Sequence, residues 1–176
     1  MKPVVLITGA SSGIGKAAAK RFAREGFTVY AAARSMDKLK ALATDDIHPV
    51  ALDVTDDQSM QACVNEVLDQ EGHIDVLVNN AGYGSHGAVE DVPMAEARRQ
   101  FEVNVFGLAR MTQLVLPAMR KAGHGRIINI SSMAGRIWTP FAAWYHATKF
   151  AVEGLSASLR LELKPFNIDV VLIEPG

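Results

Sequence analysis

Short apolar runs alternate with longer amphipathic segments along the whole chain. Six such runs, each four to six residues long, occupy positions 4–7, 28–33, 47–52, 74–78, 126–130 and 168–173. The first of them, residues 4–7, is continuously apolar, which is typical of a strand buried on both faces of a parallel sheet. The alternation with helical segments predicts an α/β fold. We expect a three-layer, doubly wound parallel sheet with right-handed crossovers.

Amphipathic spacing predicts five helices between these strands. They run from the first glycine-rich loop to a cap at Gly26, over 36–43, over about 55–71, over 93–121, and from about 143 to 165. Two poor helix formers lie within the fourth helix. Pro117 predicts a kink or a break. Asn104 either holds a water or disturbs the helix near Lys149, because a buried amide needs partners; alternatively it occupies an ordinary surface position.

Composition narrows the class of protein. The chain has 176 residues, 49% of them apolar, and a formal charge of -1. These values fit one domain over residues 1–176 and give no basic excess for nucleic-acid binding. No apolar run reaches the ~20 residues of a membrane span, and no signal peptide is expected. The lone Cys63 is expected to be a buried, inert thiol, which fits a reducing, cytoplasmic location. Five scattered histidines give no metal-ligand spacing.

A glycine-rich loop joins the first strand to the first helix. Residues 8–15 read Thr-Gly-Ala-Ser-Ser-Gly-Ile-Gly. Gly9 would allow the tight turn, Gly13 would let backbone approach a pyrophosphate, and Gly15 would allow close packing of helix on strand. The helix N-terminus would add N–H groups and partial positive charge. The alternative is a turn that only connects two elements, but strand, glycine turn and helix together favour a phosphate site.

The second and third predicted strands each end in a residue that faces the same crevice. Arg34 follows the second strand, where an acidic residue would bind ribose hydroxyls. An arginine there, next to Ser35, suits a 2′-phosphate instead, unless it is an ordinary surface residue. Asp53 follows the third strand with Val54. Its carboxylate could accept a bond from an adenine amino group or cap the next helix, which starts at Thr55 or Asp56.

The fourth predicted strand ends in Asn79-Asn80-Ala81-Gly82. Paired asparagines can tie neighbouring strands through side-chain hydrogen bonds. The small Ala81 and Gly82 would let a ribose and a flat ring lie against backbone. A bare turn is the alternative. His86, in the loop that follows, either lies near a substrate or is merely exposed.

Tyr145 and Lys149 lie near the start of the last helix. Residues four apart share one helix face, so the two side chains point the same way. A nearby ammonium lowers the pKa of a phenol, which is otherwise too high for acid–base chemistry at neutral pH. Ser132, at the end of the fifth strand, could bond the same phenol oxygen. The arrangement is a candidate proton-transfer device for a carbonyl or alcohol oxygen.

Taken together, these motifs resemble the short-chain dehydrogenase/reductase family over essentially the whole chain. The glycine loop, Asn79-Asn80-Ala81-Gly82, the Tyr-x-x-x-Lys pair and Pro175-Gly176 occur in the family's order. The thirteen-residue step from Ser132 to Tyr145 also matches and favours Ser132 over Ser131. The family usually continues past Pro-Gly, so we expect its C-terminal substrate loop and seventh strand to be missing here. The sixth strand would then be an edge.

The resemblance implies a reaction and the residues that carry it. An NADP-dependent oxidoreductase would exchange a hydride with a carbonyl or secondary alcohol. Tyr145 would act as general acid or base, Lys149 would hold the nicotinamide ribose, Ser132 would orient the carbonyl, and Asn104 would anchor a water in a proton relay. Arg34 favours NADP(H) over NAD(H), and a homodimer or homotetramer is expected. The implied cofactor-binding residues are Gly9, Ser11, Ser12, Gly13, Ile14, Gly15, Arg34, Asp53, Val54, Asn80, Ala81, Gly82, Tyr145, Lys149, Pro175 and Gly176.

Two other functions fit these residues less well. A non-catalytic dinucleotide sensor or scaffold on the same fold would lack a reason to keep both Tyr145 and Lys149. A serine hydrolase is disfavoured because Ser132 has no G-x-S-x-G elbow and His146 is expected to face away from Tyr145.

Overall fold

The computed structural model describes residues 2–176, and the order of its elements matches the predicted alternation. The six strands are β1 (Val4–Thr8), β2 (Thr28–Ala33), β3 (Ile47–Ala51), β4 (Val76–Asn79), β5 (Gly125–Ile130) and β6 (Ile168–Ile173). The α-helices are α1 (Gly13–Arg24), α2 (Met36–Lys40), α3 (Asp57–Glu71), α4 (Met94–Phe101), α5 (Leu108–Ala122) and α6 (Ala143–Leu163). A π-helical segment (Glu102–Gly107) joins α4 to α5, and 3₁₀ turns follow β5 (Met133–Gly135) and α6 (Lys164–Phe166).

The strands form one parallel sheet in the order β3-β2-β1-β4-β5-β6. The predicted doubly wound fold is therefore confirmed. Strand order reverses between β1 and β4, which leaves a crevice beyond their carboxyl ends. No helix within residues 2–176 is at once long and apolar enough to cross a bilayer.

Helices on both sides of the sheet explain the continuous apolar run in β1. Along β1, Leu6 packs with residues of α3 and α5, whereas its neighbour Ile7 packs with those of α1 and α2. Both side chains are fully buried. Removing a side chain of this size from water contributes about 1.5–3 kcal/mol, so each face of the sheet stabilises the fold through its own apolar core. Cys63 lies buried on α3 as an unpaired thiol, as expected.

A buried polar network crosses the middle of the sheet. The Asn79 side-chain amide donates to Asn129 Oδ1 on β5 (2.9 Å) and to Thr112 Oγ1 on α5 (3.1 Å). Asn129 in turn donates to Ser156 Oγ on α6 (2.9 Å). The expectation that an asparagine of the Asn-Asn pair ties neighbouring strands is confirmed, and the ties extend to two helices.

The helix predicted over 93–121 is one continuous rod with a wider middle turn. Its backbone changes from α to π geometry over Glu102–Gly107 and back again. The predicted break at Pro117 is wrong, because α5 runs on to Ala122. Proline removes only the hydrogen bond to the Gln113 carbonyl. Pro117 and Gln113 are both exposed, so water can solvate that carbonyl, while buried Val115 and Met119 hold the helix on the sheet.

A cluster of one carboxylate and two imidazoles lies at the amino-terminal ends of the strands, on the side of the sheet away from the crevice. Asp75 accepts a hydrogen bond from the Val4 backbone N–H (2.7 Å) and lies against His124 Nε2 (3.0 Å) and His73 Nε2 (3.3 Å). The bond to the Asp75 carboxylate raises the pKa of His124 above its ordinary value. Protonated His124 therefore stabilises the folded chain more than neutral His124 does.

We expect the free energy of unfolding to decrease as the pH rises from about 6 to about 9. The raised pKa means that the stabilisation is complete below the unfolded-state pKa of about 6.5 and disappears as the pH passes the higher folded-state value. Urea unfolding across this range measures the effect, which is small because His124 is solvent-exposed. His124→Gln should flatten the dependence. Parallel curves for the two proteins would show that the imidazole contributes nothing.

Candidate active site

A cavity of about 850 Å³ opens at the reversal of strand order. That volume suits a small-molecule site. Its wall contains most of the residues singled out in the sequence. From that set it includes Gly9, Ser11, Ser12, Gly13, Ile14, Arg34, Asp53, Val54, Asn80, Ala81, Gly82, Ser132, Tyr145, Lys149, Pro175 and Gly176. Gly15 and Asn104 are buried behind the wall rather than part of it.

The glycine loop wraps the carboxyl end of β1 and starts α1. Gly9 and Gly13 have φ angles of 66° and 51°, a left-handed region that favours glycine. A Cβ at Gly13 would meet no atom within 4 Å, so the loop backbone is open on that side. A Cβ at Gly15 would come 2.6 Å from the Gly9 carbonyl oxygen and would also collide with Asn80 Nδ2. Gly15 is therefore a packing residue beneath the loop.

Hydrogen bonds fasten this loop to the end of β4. Asn80 Nδ2 donates to the carbonyls of Thr8 (3.0 Å) and Gly9 (3.1 Å). Thr8 Oγ1 accepts from the backbone N–H groups of Asn80 and Ala81, both at 3.0 Å. The two central strands thus end in a single cross-linked turn, which fixes the floor of the cavity.

Arginines surround the far end of the cavity, beyond β2 and β3. Burial alone would raise the pKa of Asp53, but bonds from Thr55 and the charges of Arg34 and Arg99 hold it below its ordinary value. Asp53 Oδ1 accepts from Thr55 N (2.9 Å) and Oγ1 (2.7 Å). The suggestion that Asp53 caps α3 is wrong. The N-cap is Asp56, the residue immediately before α3. Its side chain accepts a hydrogen bond from Gln58 N–H.

Tyr145 and Lys149 face the other end of the cavity from one side of α6. Lys149 Nζ lies 5.7 Å from the centroid of the Tyr145 ring and donates to the Ile130 carbonyl (2.8 Å). Only 7% of Lys149 is exposed. Burial lowers the pKa of Lys149 to about 8, although the charge of Glu153 opposes the shift. The wall therefore holds a phenol beside a buried ammonium whose pKa is lower than that of an ordinary lysine.

The Ser132 hydroxyl does not bond to Tyr145 in this structure, contrary to the expectation from sequence. It donates to the Pro175 carbonyl (3.3 Å) and accepts from Ala134 N–H (3.1 Å). Ser132 is the N-cap of the 3₁₀ turn that follows β5. The Ala134 N–H would otherwise lack a hydrogen-bond partner. The bond that it makes to Ser132 directs the hydroxyl towards the 3₁₀ turn. Ser132 nevertheless stays in the wall with Tyr145.

Asn104 lies in the π-helical segment and makes a complete set of protein hydrogen bonds. Its amide donates to the Tyr83 carbonyl (2.8 Å) and to Thr148 Oγ1 (3.1 Å), and its oxygen accepts from Tyr83 N–H (3.0 Å). The local helix disturbance expected from sequence is present as the π turn. The surface position is wrong, because Asn104 is 2% exposed. Its hydrogen-bond partners are Tyr83 and Thr148, and Thr148 is the neighbour of Lys149 in α6.

Among the parts of the cavity wall that were missed in the sequence is one that comes from α4 and the π segment. Glu96, Arg99 and Val103 follow one another at spacings of three and four, and so lie on one face of α4 and the π segment. Glu96 accepts a bond from the Tyr83 hydroxyl (2.9 Å). The helical spacing was visible beforehand, but the face that meets the cavity depends on how the helix packs.

The two histidines near the site differ in their surroundings. His146 is buried, with Nδ1 2.9 Å from the Ala134 carbonyl and Nε2 accepting from Thr139 N–H (2.9 Å). Both ring nitrogens are occupied, so His146 cannot serve Ser132 as a base. His86 is exposed, and its ring lies against Gly84 together with the Tyr145 ring. Among residues 2–176, no three His, Cys, Asp or Glu side chains come together as metal ligands do.

Comparison with known proteins identifies the family. The sequence model of the short chain dehydrogenases matches residues 3–176. The chain therefore belongs to the short-chain dehydrogenase family, whose members are oxidoreductases.

Relatives match nearly all of this chain but are longer. The chain is 46% identical to the oxidoreductase YusZ of Bacillus subtilis, covering 99% of this chain and 65% of that protein. It is 42% identical to a 3-ketodihydrosphingosine reductase of Bacteroides thetaiotaomicron, covering 100% and 64%. The chain thus spans about 65% of the length of these curated relatives.

Solved structures agree in fold. A short-chain dehydrogenase from Streptomyces avermitilis superposes with a TM-score of 0.96 at 42% identity, covering 100% of this chain and 66% of that one. A 3-ketoacyl-(acyl-carrier-protein) reductase from Brucella melitensis, complexed with NADH, gives 0.94 at 37% identity, covering 98% and 74%.

We expect Gly15→Ala to destabilise the fold by roughly 1–3 kcal/mol, because the new methyl group must displace Asn80 and the Gly9 carbonyl. Gly154→Ala is the matched control. Gly154 lies exposed within α6, where a Cβ would meet no atom within 4 Å. Since alanine is the better helix former, that variant should gain about 0.5–1 kcal/mol. Urea unfolding of both variants measures the difference. Equal effects would mean that the contact beneath the loop is not tight.

Proposed function

We propose that this short-chain dehydrogenase binds NADP(H) in the cavity and transfers a hydride between the nicotinamide and a carbonyl or secondary alcohol. The observation that carries the proposal is the presence, in one cavity wall, of an open glycine loop at a helix N-terminus and a phenol beside a buried lysine. The first suits a dinucleotide phosphate, and the second suits proton transfer to a carbonyl oxygen.

The residues of the loop fit a bound pyrophosphate. Backbone N–H groups at the start of α1 have no partner within the helix, because the first turn always leaves them free. The loop backbone at Gly13 is open to an approaching group. Ser11 and Ser12 line the cavity on the same side and can donate hydroxyl hydrogen bonds. This chain would therefore hold the phosphates mainly through backbone donors and the helix dipole.

Arg34 supports a preference for NADP(H). Its side chain is exposed at the cavity, and among residues 2–176 it forms no ion pair. A guanidinium without a protein partner can bind a ribose 2′-phosphate in bidentate fashion. Arg99 adds a second positive charge near Asp53. Asp53 keeps both of its Thr55 bonds and so remains available to an adenine amino group only through its second oxygen.

Four residues of this chain would serve the chemistry. Tyr145 delivers or removes the proton of the substrate oxygen. The Lys149 ammonium favours negative charge on the phenol oxygen and can bond to a ribose hydroxyl. Ser132 orients the substrate carbonyl after its hydroxyl leaves the Pro175 carbonyl. Asn104 acts from behind the wall by holding the Tyr83 backbone with two hydrogen bonds. The nicotinamide, when bound, supplies or accepts the hydride.

The names of two similar proteins favour a ketone substrate. One relative is named as a 3-ketodihydrosphingosine reductase, and one solved structure as a 3-ketoacyl-(acyl-carrier-protein) reductase. Both names describe reduction of a keto group at position 3 of a longer molecule. We therefore propose reduction of a ketone as the reaction to test first.

Tyr145→Phe should lower the turnover of NADPH-dependent ketone reduction by about 100-fold or more, because the phenol oxygen is the proposed proton donor. The Kd for NADPH should change by less than about threefold, since the ring remains in the wall. Steady-state rates with a panel of 3-keto compounds and NADPH fluorescence titration measure the two effects.

Tyr83→Phe is the matched control for this experiment. It deletes a hydroxyl from the same wall, but that hydroxyl is already bonded to Glu96. Its turnover should stay within about threefold of the parent protein. Full activity of Tyr145→Phe would remove Tyr145 from the mechanism. Tight NADPH binding without turnover on any ketone would instead support a dinucleotide sensor.

Arg34→Asp should weaken NADPH binding by about tenfold or more and leave NADH binding nearly unchanged, because a carboxylate repels the 2′-phosphate. Lys38→Asp makes the same change of net charge on α2, at an exposed position outside the cavity wall. It should affect both cofactors alike and only slightly. If the two variants weakened NADPH binding equally, the long-range field rather than Arg34 would explain the preference.

A further inference from the structure

We propose that Glu153 is a positioning residue for Lys149, whose buried carboxylate keeps the lysine side chain charged at the cavity wall. The inference rests on the role proposed above for Lys149 and extends it to a residue one turn further along α6. Glu153 is not part of the cavity wall, so it would act through Lys149 rather than on a ligand.

Lys149 needs such support because it is charged and almost enclosed. It is 7% exposed and Glu153 is 9% exposed, and the two residues lie four apart on one face of α6. The only hydrogen bond of the ammonium to the described protein goes to the neutral Ile130 carbonyl. Burial favours the neutral amine and lowers the pKa of Lys149, while Glu153 raises it again.

Within the described residues, the Glu153 carboxylate forms no direct ion pair with Lys149, but it is fixed one helical turn away from it. Oε2 pairs with the Arg136 guanidinium (3.0 Å). Oε1 is buried and has no hydrogen-bond partner within the described chain. Room for the carboxylate exists because residue 135 is glycine. A Cβ there would lie 2.8 Å from Glu153 Cγ and 3.1 Å from Oε1.

The other charged or titratable groups around the pair are few. Helix α6 contributes Tyr145 and the buried His146, the turn after β5 contributes Arg136, and the end of β6 contributes Glu174. Strand β5 and the π segment present only neutral carbonyl, hydroxyl and amide groups to this region. The Arg136 side chain is 60% exposed and pairs with Glu174 as well (2.9 Å). Solvent therefore screens the charge of Arg136 more than the charge of Glu153. The net effect of the two charges on Lys149 is that of a negative neighbour.

Direct titration of the Lys149 amine tests the proposal. The chain has a mass of 19.0 kDa, which suits NMR detection of labelled lysine side chains, and Lys149→Arg identifies the resonance. In Glu153→Gln, we expect the titration midpoint of Lys149 to fall by roughly one pH unit, because the favourable charge is lost. In the parent protein the midpoint should lie near 8. An unchanged midpoint in Glu153→Gln would overturn the proposal.

Two further variants separate electrostatics from a disturbed turn. Arg136→Gln breaks the same ion pair but leaves the carboxylate, so the Lys149 midpoint should rise. Glu174→Gln breaks only the outer pair and should lower the midpoint slightly. A fall in Arg136→Gln as large as that in Glu153→Gln would show that the ion pair acts by holding the turn, and the proposal would be wrong. If Glu153→Gln does not fold, the direction in Arg136→Gln still decides.

A parallel measurement separates this inference from the proposed function. The lysine titration needs neither cofactor nor substrate. NADPH titration of the same proteins across pH should show binding that weakens at a lower pH in Glu153→Gln than in the parent protein. Absence of NADPH binding in every protein would refute the proposed function and leave the coupling of Glu153 to Lys149 decided by the titration alone.

Discussion

The hydrogen bonds between Thr8 and Asn80 are the constraint on which the rest of the site depends. They join the carboxyl ends of β1 and β4, the two strands between which the order of the sheet reverses. Helices must leave these strands in opposite directions, so a crevice opens between them. The cross-linked turn prevents that crevice from closing or splaying. It also sets the position of the glycine loop against Ala81 and hence the floor of the cavity.

Around that floor, fixed neighbours set the charge state of two groups in the cavity wall. Asp53 is held ionised by Thr55 and nearby arginines. Lys149 remains weakly basic between burial and the field of Glu153. Leaving a buried ammonium such as that of Lys149 without support would cost several kcal/mol, so its neighbours are part of the site even where they do not touch a ligand. Arg34 differs from these groups, because its guanidinium is exposed and forms no ion pair within residues 2–176.

Several features of the site followed from sequence alone because they are local. A short, mainly apolar strand, such as residues 168–173, can be recognised from sequence whatever it packs against. The same holds for a glycine loop between strand and helix, and for Tyr145 and Lys149 four apart on one helix. The Asn79–Asn80 pair was also visible, although only the fold shows that Asn79 reaches Asn129 and Thr112 while Asn80 turns back to the glycine loop.

Other features needed the tertiary structure, because they depend on partners far away in the chain. Ser132 was expected to face Tyr145, but its hydroxyl donates to the Pro175 carbonyl, an acceptor that reaches it only once β6 lies beside β5. Asn104 distorts its helix because Tyr83 and Thr148 are brought to it. Which face of α4 meets the cavity was likewise undecided before packing. Sequence determined the elements and the residue types at strand ends, since periodicity and turn chemistry are local. The fold alone decided burial, hydrogen-bond partners and charge neighbours, since these are properties of residues distant in sequence.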